Sequence, residues 1–114
     1  MALSFQLSEL FPFTVNGIEI AVKKIGAGAF VLDPPDPRGG SPVGFVGRSD
    51  NDVAAVLQRN VKGGYKRFAF SYAKSALDAY KMECEMWHEW KPAANPAHPV
   101  KPAGSIVPCM ICGK

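Results

Sequence analysis

The stretch Arg67-Phe68-Ala69-Phe70-Ser71-Tyr72-Ala73-Lys74-Ser75-Ala76-Leu77-Asp78-Ala79-Tyr80-Lys81-Met82-Glu83-Cys84-Glu85-Met86-Trp87-His88-Glu89-Trp90 changes its period partway along. Over 67–72 aromatic and small or polar residues alternate, so the chain is a strand with its aromatics on one face. From Ser75 the repeat lengthens. Ser75-x-x-Asp78 is a capping box, and Ala79, Tyr80, Met86 and Trp87 follow on one helical stripe. This predicts a helix over 75–90, ended by Lys91-Pro92 because proline cannot continue it. A strand run straight into an amphipathic helix requires an α/β (α+β) fold.

Further upstream, Ser49-Asp50-Asn51-Asp52 is a second capping box, with Val53, Val56, Leu57 and Val61 at helical spacing. It predicts a helix near 50–61, closed by Gly63-Gly64. Gly28–Leu32 and Val43–Gly47 read as short strands, separated by a Pro/Gly-rich loop over 33–42. Asn16-Gly17, between Phe13-Thr14-Val15 and Ile18-Glu19-Ile20, has the form of a β-hairpin turn. Residues 92–114 hold five prolines and no periodicity. The order is β, β, β, β, α, β, α, tail: a small central mixed or antiparallel sheet flanked by helices. A domain with an N-terminal hairpin extension occupies 1–91, and a Pro-rich tail ending in a C-x-x-C knuckle occupies 92–114.

Composition narrows the class. With 47% hydrophobic and 20% charged residues in 114, the chain is an ordinary globular domain. Thirteen Lys+Arg against ten Asp+Glu give +3, a mild basic bias compatible with nucleic acid. No run of about 18 apolar residues is present, so no membrane helix is expected. The opening MALSFQLSELFPF carries Glu9 and no basic n-region, unlike a secretory signal. Three cysteines make a poor disulfide framework. These features lead to the expectation of a reduced, cytoplasmic setting and no membrane association.

Three groups of residues carry chemistry. Glu83 lies on the apolar stripe, between Ala79 and Tyr80 on one turn and Met86 and Trp87 on the next. A carboxylate there must be paired, hydrogen-bonded or bound to a cation: it is either paired to Arg or Lys at the core edge, or a metal ligand for Mg²⁺ or Mn²⁺ or a catalytic acid in a cleft. Arg59, Lys62, Lys66 and Arg67 crowd around Gly63-Gly64-Tyr65 and form either a solvated turn or a phosphate-contacting loop. Cys109-Met110-Ile111-Cys112 supplies two thiols. Zinc needs four ligands. His88 or His98 can supply more within the chain, two tails can share one ion across a homodimer, or the pair stays a free dithiol. Cys84, on the same helix as Glu83, reads as a packing residue.

The order of these pieces resembles the GIY-YIG endonuclease superfamily. Gly28-Ala29-Phe30 falls at its first signature tripeptide and Phe45-Val46-Gly47 at its second, followed by Arg48-Ser49-Asp50 and the helix 50–61. Phe68–Ser75 leading into Asp78–His88 is similar to its strand and metal-glutamate helix, and Asn95-Pro96-Ala97-His98-Pro99 adds a weaker echo. The resemblance implies a metal-dependent phosphodiester hydrolase in which Glu83 holds one divalent ion and DNA or RNA is the partner.

Several positions depart from that pattern. The tripeptide tyrosines fall on Phe30 and Phe45, which lack the hydroxyl that orients or deprotonates water. The helix arginine falls on Val56 and a helix-end histidine on Asn60. Arg48 and Arg59 are the arginines within reach of the same cleft, and Tyr65 and Tyr72 are the alternative hydroxyls. The expected function is therefore a nucleic-acid-handling domain with an eroded endonuclease site. Its catalytic positions are Phe30, Phe45, Arg48, Arg59 and Glu83, and its phosphate contacts are Arg48, Arg59, Lys62, Lys66 and Arg67. The alternatives are an active, divergent endonuclease and a protein-interaction module that ignores nucleic acid.

Overall fold

A computed structural model describes residues 3–33 and 43–113. Its elements are β1 (Phe11–Pro12), α1 (Val15–Ala21), β2 (Gly28–Leu32), β3 (Phe45–Ser49), α2 (Val53–Arg59), a 3-10 turn (Val61–Gly63), β4 (Arg67–Tyr72) and α3 (Ala76–Trp90). The four strands form one antiparallel sheet in the order β1-β4-β2-β3. All five residues of the central strand β2 are buried, which explains why it reads as an unbroken apolar run.

Alternation along the strands builds two cores. Phe30, Leu32, Phe68 and Phe70 point to one face, where Ile18 and Val22 from α1 and its exit, together with Val53 and Leu57 of α2, complete a cluster. Ala29, Val31, Val46 and Ala69 point to the other face, against Met82 and Met86 of α3. The helices thus cover both sides of the sheet, and the expected α+β class holds.

The expected N-terminal hairpin is absent: Asn16-Gly17 lies inside α1. Thr14 caps that helix, its Oγ1 accepting from the Gly17 N–H at 2.9 Å. Ile18, Ala21 and Val22 supply its apolar stripe. Gly17 is required here for closeness, because a Cβ would collide with the Pro12 carbonyl of β1. An Asn-Gly pair is a turn signal only when no preceding cap nucleates a helix across it.

Smaller differences have similar causes. β3 begins at Phe45 rather than Val43. Ser49 ends β3, with its Oγ accepting from the Asp52 N–H at 2.8 Å, and Asp52 is the residue that caps α2. Ser75 caps α3 as expected, with Asp78 N–H donating to Ser75 Oγ at 3.0 Å, but the Asp78 carboxylate accepts from Lys74 N–H at 2.9 Å instead of closing the box on Ser75; β4 matches the expected strand. The loop read over 33–42 lies, beyond Asp33, outside the described residues. Asp33 itself closes β2, its carboxylate accepting from the Lys66 and Arg67 N–H groups.

After Lys91, which ends α3 in the left-handed region at φ 41°, no helix or strand occurs among the described residues. The chain turns back along the edge strand β3. There the Asn95 side chain accepts from Val46 N–H at 2.8 Å and donates to Val46 C=O at 3.0 Å. Trp87 Nε1 donates to the Asn95 carbonyl at 2.7 Å and fixes the turn. An exposed edge invites pairing with other chains, and this amide covers it. Asn95→Ala leaves two backbone groups unanswered, a loss of about 1–3 kcal/mol. The expected outcome in a thermal melt is a midpoint lower by several degrees; an unchanged midpoint would show the clamp to be dispensable.

Candidate metal centre and the Glu83 site

Glu83 sits on the sheet-facing side of α3, its side chain 13% exposed. Arg48, on the last turn of β3 toward that face, donates from Nη1 to Glu83 Oε1 at 2.7 Å and from Nε to Asp50 Oδ1 at 2.7 Å. The guanidinium also lies over the Tyr80 ring, 5.3 Å from its centroid. Burial opposes the Arg48 charge, but Asp50 and Glu83 more than offset that, and its pKa rises. At Glu83 burial raises the carboxyl pKa, and Arg48 only partly reverses the effect. The sequence allowed a paired or a cation-binding Glu83; the structure has the pair.

The other sequence-selected residues separate from this pair. Phe30 and Phe45 stack at 6.3 Å on the opposite face, Phe30 fully buried in the α1/α2 core. Tyr65 packs between Phe13 and Phe45. The Tyr72 hydroxyl accepts from Lys23 N–H at 2.9 Å and Lys24 N–H at 3.3 Å, closing the end of α1. Val56 packs against the core and Asn60 bonds its carbonyl at 2.8 Å. Arg59, Lys62, Lys66 and Arg67 are all exposed along the α2–β4 connection. Arg48, half turned inward on two carboxylates, is not among them.

A second cluster forms where the tail meets α3. One potential ligand atom from each of His88, His98, Cys109 and Cys112 lies within 4.8 Å of every other. Cys109 Sγ is 3.5 Å from His88 Nε2, and Cys112 Sγ is 3.3 Å from His98 Nε2. A tetrahedral ion with bonds of about 2.0–2.1 Å to nitrogen and 2.3 Å to sulfur separates its ligands by roughly 3.3–3.8 Å. The two sulfur–nitrogen spacings fall in that range, and the remaining ligand pairs lie within 4.8 Å. Two imidazoles and two thiols can therefore hold a metal ion.

Local structure prepares the donors. The knuckle turn is closed by Gly113 N–H on Cys109 C=O at 2.9 Å, with Gly113 at φ 78°, a conformation glycine adopts without strain. Burial pushes the Cys109 thiol up, yet the N–H groups of Cys112 and Ile111, with His98 and Cys84, bring it down to about 6. Trp87 packs its ring edge-on against both imidazoles, at 5.0 and 5.4 Å. Beside the cluster Cys84 is buried, and burial holds its thiol up at about 12. The Tyr80 hydroxyl, packed with Cys84 and Cys109, is buried and has no hydrogen-bond partner among the described residues.

The sequence named the knuckle but left the remaining ligands open. The spacing from His88 to His98 to Cys109 follows no common zinc pattern, and helix and tail supply one histidine each. The available signal was that the chain's two histidines and two of its three cysteines fall in its last 27 positions, 88 to 114. No family model, curated protein or solved structure matches the chain.

Removing one partner of a buried pair strands the other charge. Arg48→Met is expected to destabilise the protein by about 3–5 kcal/mol near neutral pH. The Glu83 carboxyl already titrates above its ordinary value, so folding with it ionised is penalised, and the penalty fades as pH falls through the raised pKa. Denaturant titrations at neutral and mildly acidic pH should show the deficit shrinking in acid. An equal deficit at both would mean that Glu83 charge is not its source.

Proposed function

We propose that the chain is a nucleic-acid-binding domain of GIY-YIG-like layout whose endonuclease site is eroded. The observation that carries this reading is the Arg48 guanidinium on Glu83 at 2.7 Å. The resemblance gives that carboxylate a divalent ion, and here it already has a cation of its own. Mg²⁺ or Mn²⁺ would have to displace an arginine that also holds Asp50. Phe30 and Phe45 bring no hydroxyl and lie across the sheet. Without those groups the water-activating part of the chemistry lacks its general base.

Binding rests on different residues. Arg59, Lys62, Lys66 and Arg67 present four exposed cations on one connection. Each phosphate neutralised releases condensed counterions, so affinity falls as salt rises. In this reading the His88/His98/Cys109/Cys112 centre takes zinc. Its four donors fill a tetrahedron and leave no position open for water, so the ion is structural.

Two measurements test the reading. Binding of the intact protein to duplex DNA and single-stranded RNA should weaken with a log–log salt slope of about −3, and Lys62→Ala with Lys66→Ala should flatten the slope by about 2. Binding no better than to a neutral polymer would leave a protein-interaction module instead. Supercoiled plasmid with Mg²⁺ or Mn²⁺ should remain uncut. Nicking that disappears in Glu83→Ala would establish an active endonuclease and overturn the erosion.

A further inference from the structure

The two main cores of the domain are complete without the tail: their members, and the side chains packed on them, all lie at or before Trp90. The tail has no comparable anchor. Between 91 and 113 the buried residues are Pro92, Pro102 and Cys109, while Val100, Ile106, Met110 and Ile111 are exposed. Up to Asn95 the chain is tied down by the Val46 clamp and by Trp87. Beyond Asn95, hydrogen bonds among the described residues are local, apart from sulfur–imidazole contacts. Of those, Cys109 to His88 is the one that reaches back to α3, and Cys109 alone enters a buried cluster, with Tyr80 and Cys84.

A segment with so little buried apolar surface does not repay the entropy of being ordered. Yet its three ligands, His98, Cys109 and Cys112, converge on His88. We propose that zinc binding is what docks residues 96–112 onto α3, and that in the metal-free protein this segment is released while the sheet and its helices stay folded. The inference rests on the reading of the centre as a zinc site. Metal binding and folding are then one equilibrium, confined to the last part of the chain. Docking also seals the Tyr80–Cys84 side of α3, so Cys84, which is not itself a ligand, reports the state of the tail.

The test uses the full-length reduced protein, stripped with a chelator and titrated with Zn²⁺. One ion per chain is expected by elemental analysis, and cobalt in its place should give the visible bands of a tetrahedral site together with thiolate charge transfer. Alkylation at Cys84, read by peptide mass spectrometry, should slow by 1 + [Zn²⁺]/Kd, roughly a hundredfold at a hundred times Kd. Amide exchange over 96–112 should be protected only with metal, while β2 and β4 stay protected in both states. Cys112→Ser, at an exposed position, should behave as the metal-free protein does. Tight binding with the tetrahedral signature but equal protection of 96–112 in both states would overturn the docking and leave the zinc site standing. Failure to bind zinc at micromolar concentration would remove both.

Discussion

Two sulfurs and two imidazoles lie together where residues 96–112 meet α3, and little packing accompanies them. Ordering a backbone costs about 1–2 kcal/mol per residue, and the segment after Asn95 returns almost no buried apolar area against it. Its exposed Val100, Ile106, Met110 and Ile111 would serve a hydrophobic anchor if one existed. The cluster instead joins a helical histidine to three tail residues, and a single cation can bind all four at once. The buried Cys109 thiol and the buried Tyr80 hydroxyl both lie at this junction.

The Arg48–Glu83 pair plays a comparable part inside the sheet layer. It joins β3 to α3 across the face filled by Val31, Val46, Met82 and Met86, and it extends through Asp50 to the start of α2. Burial makes such a pair intolerant of losing either partner but leaves its net worth small. Its value here is positional. The same arginine that neutralises Glu83 stacks on Tyr80, whose far end reaches the sulfur cluster. The carboxylate site and the candidate metal cluster are therefore neighbours along one helix, through Tyr80, Glu83 and His88.

Much of the fold was legible because periodicity and local caps agreed: β4, α3 and β2 fall where alternation, the Ser75 cap and the apolar run place them. The N-terminus differs because Asn16-Gly17 carries a hairpin signal, whereas the Thr14 cap and the close approach of Pro12 set a helix there against the pair's own preference. The placement of Glu83 on an inward face was legible from its i±3 and i±4 neighbours, while its partner was not, since Arg48 lies 35 positions away. The candidate metal cluster was half legible. A C-x-x-C knuckle announces itself through local geometry, but which histidines join it depends on where an irregular tail folds back.

The central claim is that one ion is held by two imidazoles and two thiolates of a single chain. X-ray absorption at the zinc edge of the metal-loaded protein measures that shell directly. The account predicts two sulfur scatterers at about 2.3 Å and two nitrogen scatterers at about 2.0–2.1 Å. Four sulfurs would mean that knuckles from two chains share the ion, and a shell of light atoms without sulfur would mean that the cluster is not the binding site. Either result would contradict it.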